Sequence, residues 1–496
     1  LDLLTGGSQD MPERHQTLRA ALESSYELLA PAEQRLLARL GVFVGGCTLA
    51  AAEAVCNVEG LAPVAVLDGL YALVNHNLLR QMPGQAGEPR WGMLAMIQEY
   101  ALEQLEASGE AEALQRARAA YYLALAEEAE PQLKGAQQAG WLERLEQEHD
   151  NLRAALRWAE AQDAAETGLR LAGALGPFWA KRGYLSEGRA RLAVALARAD
   201  EAGGTAAHAK TLHAAAILAS DHSDYASAQA FLEESLAIRR ELGDQRGVAA
   251  SLNNLGRVAQ EQCDYASARS RFVESLSGLR ELGDMQAISL VLGNLGWVAA
   301  AQGDYASARS LYGESLALAR ELNHPRRIAS ALHKLGCLAY DQQDYASARS
   351  LCEESLAIMR QLGDKQYVAD ILQDLGSVVV AQGDYPLAYV LYRESLTLLR
   401  QLGDKWTTAF LLEGFATLAT AQGVFRRGAR LWGAAEALRE AIHSPLPSSE
   451  RARYEQKVAA ARAHLGEAAF AAAWAEGRAM DLEEAMDYAV QEGGSE

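Results

Sequence analysis

The string Asp264-Tyr265-Ala266-Ser267-Ala268 decides the fold, because it recurs at Asp224, Asp304 and Asp344 and returns as Asp384-Tyr385-Pro386-Leu387-Ala388, always 40 residues on. Gly256, Gly296, Gly336 and Gly376 keep the same spacing, and Gly176, Gly188 and Gly414 extend the register upstream and downstream. A fixed period of this size marks a stack of supersecondary units rather than one globular core. About seven such units, the last degenerate, are expected over residues 168–447.

Each unit reads as two helices. In the unit opening near Val248, Leu252, Leu255, Val258 and Ala259 recur at helical spacing, and a turn follows at 261–263. Asp264 then stands where an N-cap belongs, its carboxylate able to accept the free N–H groups of the next first turn for about 1 kcal/mol. The second helix is expected to bury Tyr265, Ala268, Phe272, Leu276 and Leu279 and to stop at Leu282-Gly283-Asp284. Gly243, Gly283, Gly363 and Gly403 share that stop, where a left-handed residue closes a helix without steric cost, and Asn323 fills it in the one unit without glycine. Gly256 and Ala268 predict close approach of the paired helices, with Tyr265 closing the gap beside them.

The segments Asn294-Leu295-Gly296, Gln302-Gly303-Asp304-Tyr305, Ala308 and Tyr312 together resemble the tetratricopeptide repeat, lengthened by about one turn. The resemblance implies an all-α right-handed superhelix with the first helix of each unit lining the concave side. After Pro445-Leu446-Pro447, residues 448–496 are expected to hold short Ala- and Glu-rich helices that cap the array.

The chain of 496 residues is half hydrophobic and carries 65 acidic and 46 basic side chains, a net charge of −19. That balance disfavours gripping nucleic acid through its phosphates. No stretch approaches the roughly 18–20 uncharged apolar residues that cross a bilayer, and no signal segment opens the sequence, so a cytoplasmic location without membrane contact is expected. Cys47, Cys56, Cys263, Cys337 and Cys352 form no C-x-x-C pair and are expected to be reduced thiols.

Residues 1–107 follow another pattern. Helical periods run over 17–29, 32–42, 48–58 and 64–74, and Leu78–Met82 pairs with Arg90–Met93 as a two-stranded hairpin before a helix over 94–105. Helices closed by a hairpin predict a winged helix, joined to the repeats by a helical linker over 108–167. The candidate recognition helix, Ala62–Asn77, contains Asp68 and His76 and no Lys or Arg, so direct DNA binding is not expected.

Several strings here resemble the winged-helix segment that follows the nucleotide-binding domain in bacterial NB-ARC regulators of the STAND class, among them LuxR-like and AfsR-like regulators. They are Leu4-Thr5-Gly6-Gly7, Thr17-Leu18-Arg19-Ala20-Ala21-Leu22, Ser25-Tyr26, Phe43-Val44-Gly45-Gly46-Cys47-Thr48 and Ile97-Gln98-Glu99-Tyr100-Ala101. Glu148-His149-Asp150-Asn151-Leu152-Arg153 and Leu431-Trp432-Gly433-Ala434-Ala435-Glu436 resemble that family's linker and tail. The resemblance implies a sensor whose ATPase lies upstream of Leu1, in a longer polypeptide. The family's Met-His-Asp element reads Met93-Leu94-Ala95 here, which removes the histidine that would face a nucleotide.

No G-x-x-x-x-G-K-[ST] occurs, so ATP or ADP is expected only in the missing upstream domain. Neither H-E-x-x-H nor G-x-S-x-G occurs among the ten histidines and the serines, and no enzyme is expected. His149 beside Asp150 reads as a solvated helix face, and the repeat-spaced Trp and Tyr residues read as packing.

What remains is the groove. Positions that vary between units fall in rows on the first helices: Asn253, Gly293, His333, Gln373; then Asn254, Asn294, Lys334, Asp374; then Arg257, Trp297, Cys337, Ser377. In the resembled family these rows line the concave surface. They imply a protein or peptide partner, or a small anionic inducer, held by the Asn254 and Asn294 amides, the Arg257 and Lys334 charges and the flat face of Trp297. The competing possibility pairs Arg257 with Glu261 and Lys334 with Asp374, which would leave the groove electrically quiet. A stand-alone repeat scaffold for protein assembly is the alternative function.

Overall fold

The computed structural model describes residues 13–57, 64–84, 87–133, 137–199, 204–442 and 448–491, and it divides into two compact units, Leu1–His222 and Ser223–Glu496. The strings at Leu4–Gly7 and Pro445–Pro447 lie outside the described residues.

The first unit opens with α1 (Glu13–Glu27), α2 (Pro31–Leu40), β1 (Cys47–Thr48), α3 (Leu49–Cys56), α4 (Val66–Asn75), β2 (Arg80–Pro83), β3 (Pro89–Gly92) and α5 (Ala95–Ser108). The order is that of a winged helix. The wing differs from the expected two-stranded hairpin, since β1 adds a third antiparallel strand in the order β1-β3-β2, with Cys47 and Gln81 flanking Trp91. Two residues are too few to show a period of two, and Thr48 leaves the strand at once to cap α3 through Ala51 N. The candidate recognition helix begins at Val66; residues 62–63 lie outside the described residues.

The unit continues through α6 (Ala111–Gln132), α7 (Gln138–Gln147), α8 (His149–Ala161), α9 (Ala165–Arg182), α10 (Leu185–Ala197) and α11 (Ala206–Asp221). The linker string beginning at Glu148 fastens α8 to the wing. The buried Glu148 carboxylate pairs with the Arg90 guanidinium and accepts from Tyr122 OH at 2.9 Å and from Asn151 Nδ2 at 2.9 Å. Asn151 Oδ1 accepts from Val44 N at 2.7 Å, and its Nδ2 also donates to Gly46 O at 2.9 Å. Every charged atom brought out of water here meets an opposite charge or a donor, as burial requires. The solvated helix face expected for His149 and Asp150 is half right. Asp150 is exposed and meets Arg153, whereas His149 is buried between the rings of Phe178 and Tyr184 with Nε2 3.4 Å from Glu187.

The second unit is the repeat body: α12 (Tyr225–Glu241), then the pairs α13 (Gln245–Glu261) with α14 (Tyr265–Leu282), α15 (Met285–Ala301) with α16 (Tyr305–Glu321), α17 (Pro325–Asp341) with α18 (Tyr345–Leu362), α19 (Lys365–Ala381) with α20 (Tyr385–Leu402), and α21 (Lys405–Ala421) with α22 (Phe425–Ala441). The Asp264 carboxylate accepts from Ser267 N at 3.1 Å, and Asp304 and Asp344 repeat the cap at the same distance. Asp244, Asp284, Asp364 and Asp404, immediately after each glycine stop, cap the first helices in the same way. Gly243, Gly283, Gly363, Gly403 and Asn323 all adopt positive φ, as their place at a helix end demands.

Gly256 works differently from expectation. A Cβ there would stand 2.6 Å from the Phe272 ring, so the glycine receives an aromatic from the partner helix rather than being flanked by Tyr265. Gly296 receives Tyr312 likewise, at 2.6 Å. Gly188 and Gly414 leave this register: Gly188 sits 40 residues before Ala228 in a second helix, and Gly414 sits 40 residues after Asp374.

Three helices close the array: α23 (Ser448–Leu465), α24 (Glu467–Arg478) and α25 (Leu482–Val490). Phe470, Ala473, Ala485, Met486 and Ala489 join the core that contains Trp432, which covers the apolar end of the last pair. Gly433 faces the Trp474 backbone and Gly477 the Arg430 backbone with no room for a Cβ, so the tail string carries glycine where two helices meet at backbone distance. Among the described residues, no helix is long and apolar enough to cross a membrane.

Candidate functional site

The first helices α13, α15, α17 and α19 each touch the next first helix, ending at α21, a closeness the second helices of these pairs do not reach. They therefore occupy the shorter, inner side of the repeat body. Their side chains meet by a diagonal step in which a residue of one repeat touches the residue 41 positions on. Asn253 Oδ1 accepts from Asn294 Nδ2 at 2.9 Å, and His333 Nε2 lies 2.8 Å from Asp374 Oδ2. The Lys334 ammonium reaches back over Gly293, where a Cβ would stand 2.8 Å from Nζ.

The nine residues singled out in the sequence thus fall into distinct groups. Asn294 spends one of its two amide donors on Asn253. Asn254 is half-buried beside this pair, and Arg257 is exposed one turn further along the helix. Trp297 is half-buried, its ring 6.1 Å from that of Tyr265, and it borders a cavity of about 390 Å³ shared with Cys337, Tyr340, Gln373 and Asp374. The buried Gln373 Oε1 has no hydrogen-bond partner among the described residues.

Charge separates along this inner face. Lys334 makes no hydrogen bond or ion pair among the described residues; burial first, then Arg327 and Arg257, pull its ammonium down to about 8. Arg327, two turns before Lys334 on the same helix face, is likewise unpaired among the described residues, and burial followed by Arg326 holds its guanidinium below the usual value. Sequence reading passed over Arg327, although Pro325-Arg326-Arg327 opens α17; Arg326 turns away to pair with Asp364 at 2.9 Å. Neither quieting pair closes to an ion pair among the described residues, although Arg257 acts on the Glu261 carboxyl at longer range, against the burial that raises it. Asp374 is engaged instead by His333 and by the Cys337 thiol, whose Sγ donates at 3.5 Å. Beyond it the face turns acidic. Burial and then Asp374 raise the Asp370 carboxyl to about 7.

Comparison with known proteins matches residues 208–281, 247–321 and 327–401 to the tetratricopeptide repeat family and residues 29–106 to the winged helix-turn-helix domain family. A Mycobacterium tuberculosis protein, provisionally named an HTH-type transcriptional regulator, is 41% identical over 186 residues, which are 38% of this chain and 21% of that protein. The match thus spans about a fifth of the length of that relative. Among solved structures, the apo form of the quorum sensor NprR from B. thuringiensis superposes at a TM-score of 0.50 and 16% identity, covering 69% of this chain and 93% of that one. A STAND protein with a tetratricopeptide repeat sensor from Pyrococcus horikoshii gives 0.44 at 16% identity, covering 82% of this chain and 65% of that one. Tetratricopeptide-type helix pairs behind a winged helix define the class of molecule.

Proposed function

We propose that this chain is the sensing part of a STAND-class regulator of the NB-ARC type, with the nucleotide-binding domain upstream, and that its repeats capture an anionic partner on the inner face of α13 to α17. The observation that supports anion capture is the group of three cations, Arg257, Arg327 and Lys334, which close no side-chain hydrogen bond or ion pair among the described residues, Glu261 and Asp284 acting on the two arginines only at longer range, in a chain of net charge −19. Lys334 and Arg327 are partly withdrawn from water, which costs free energy for an unpaired charge, and a carboxylate- or phosphate-bearing guest offsets that cost, with the exposed Arg257 adding to the attraction. Trp297 supplies an apolar flank for the guest, a peptide with acidic side chains or a smaller anion.

In this reading the winged helix is a packing module that couples the repeats to the upstream domain, and neither DNA reading nor catalysis resides in the chain. The outward side of α4 presents Leu67, Asp68 and Tyr71 rather than phosphate-binding cations.

The test is fluorescence anisotropy with a short labelled glutamate peptide and its lysine counterpart. The whole chain should bind the acidic peptide, less tightly as salt rises. Arg257→Ala combined with Lys334→Ala should weaken binding by about 2 kcal/mol or more, since desolvated charge contacts carry that much, and leave the melting temperature nearly unchanged. Equal binding of both peptides, or of both proteins, refutes the assignment.

A further inference from the structure

The pair formed by His333 and Asp374 belongs to a cluster with a third donor. His333 and Cys337 are four residues apart on α17 and therefore share a face, and Asp374 reaches both from α19. His333 Nε2 is 2.8 Å and Cys337 Sγ 3.5 Å from the same Asp374 oxygen, and the three donor atoms all lie within 4.8 Å of one another. Tetrahedral zinc with bonds of about 2.0–2.3 Å sets its ligand atoms about 3.3–3.6 Å apart. An ion therefore enters this cluster with an opening of about half an ångström between His333 and Asp374 and a closing of His333 Nε2 towards Cys337 Sγ, which lie no more than 4.8 Å apart.

The surroundings favour the same conclusion. At the equivalent positions the neighbouring repeats carry Asn253, Arg257 and Asn294, or Gly293, Trp297 and Lys334, or Gln373, Ser377 and Gly414, none of which is a comparable donor set. Lys334, adjacent to His333 in sequence, directs its ammonium back to Gly293 on α15, whereas His333 points forward to α19. The position that holds Phe272, Tyr312 and Tyr392 in other repeats holds Cys352 here, and Cys352, Cys337 and Asp374 line the cavity. The smaller Cys352 packs beneath Gly336, and the cavity it lines lies beside the Cys337 thiol and Asp374.

We propose that His333 Nε2, Cys337 Sγ and Asp374 Oδ2 form a three-donor site for a divalent transition metal, zinc(II) foremost, with the fourth position open to water or to a donor atom of a guest. A nitrogen, a sulfur and a carboxylate oxygen suit zinc and its neighbours rather than calcium or magnesium. On binding, the Cys337 thiol loses its proton to solvent as the metal–sulfur bond forms, and thiolate and carboxylate together balance the two positive charges of the ion. The site bolts α17 to α19 and so ties two repeats together. It stands independently of the anion-binding reading, because it uses none of the three cations.

Cobalt(II) titration of the EDTA-treated whole chain tests it. One equivalent should produce the visible bands of tetrahedral cobalt and a near-ultraviolet sulfur-to-cobalt band, both displaced by zinc. Cys337→Ser should abolish the sulfur band, and His333→Ala or Asp374→Asn should weaken zinc binding at least about tenfold, while Cys263→Ser changes nothing. In the wild-type chain, which needs no variant to fold, zinc should slow alkylation of Cys337 and leave that of Cys263 unaltered. A sulfur band that survives Cys337→Ser, or Cys337 alkylation indifferent to zinc, overturns the proposal.

Discussion

The ammonium of Lys334 lies across Gly293 of the preceding repeat, so close that a Cβ at residue 293 would stand 2.8 Å from Nζ. One repeat's glycine thereby sets where the next repeat's cation rests. Gly293→Ala should push that flexible tip aside while removing a glycine from a helix interior, a change worth about 0.5–1 kcal/mol in favour of the helix. The melting temperature is expected to hold or rise while affinity for the acidic peptide falls. Thermal melts and anisotropy on the same samples check the two signs together.

The helix stops are not equivalent in their tolerance. Gly283 has φ +66 with open space around it, so Gly283→Val is penalised only by its backbone, by about 1–3 kcal/mol for a β-branched residue in the left-handed region. Gly303 has φ +78, but Cys263 and Gln343 occupy the same turn in other repeats at φ 59 and 63. Gly303→Ala should therefore cost about 1 kcal/mol and less than the valine variant. Denaturant melts that rank them the other way contradict the assignment of these two turns.

Acid should act on the repeats through their caps. The hydroxyl and then the backbone N–H of the serine three residues on hold the Asp264, Asp304 and Asp344 carboxyls below their usual value. Their folded pKa values lie under the unfolded value of about 3.9, so the folded state binds fewer protons in that interval. Their stabilising contribution is complete above the unfolded value and is lost as pH falls through the folded ones. Replacing all three by Asn, which caps without titrating, should flatten the acid limb of the stability curve measured below about pH 4.

The wing is tied to α8 by one buried charge pair. Arg90→Ala leaves the Glu148 carboxylate buried with only Tyr122 and Asn151, and breaking one side of such a pair costs about 3–5 kcal/mol. Chemical denaturation should show that loss. Asp150→Ala, at an exposed position of the same helix, should cost about 0–1 kcal/mol.

The repeat was legible because its determinants are local. Asp264 sees only the turn that follows it, Gly283 only its own helix end, and both recur at a spacing a reader can count. The inner face was half legible. Rows of variable residues placed Asn253, His333, Lys334 and Asp374 on one surface, but the diagonal step that joins them depends on how far one helix pair advances over the last, which no single row contains. Hence the donor that Asn294 gives to Asn253 was not foreseen, and Asp374 was offered to Lys334 when His333 and Cys337 hold it. Arg327 escaped notice because it lies two turns from the rows, and β1 because two residues carry no pattern.

The most direct test of the anion-binding account is amine-reactive labelling of the whole chain, read by peptide mapping with and without the glutamate peptide. Lys334, with an ammonium drawn down to about 8, should react readily when the groove is empty and be protected when the peptide is bound. The exposed Lys365 and Lys405 should label equally in both samples. Protection confined to Lys334 is the predicted result; labelling of Lys334 unaffected by saturating peptide would contradict the account.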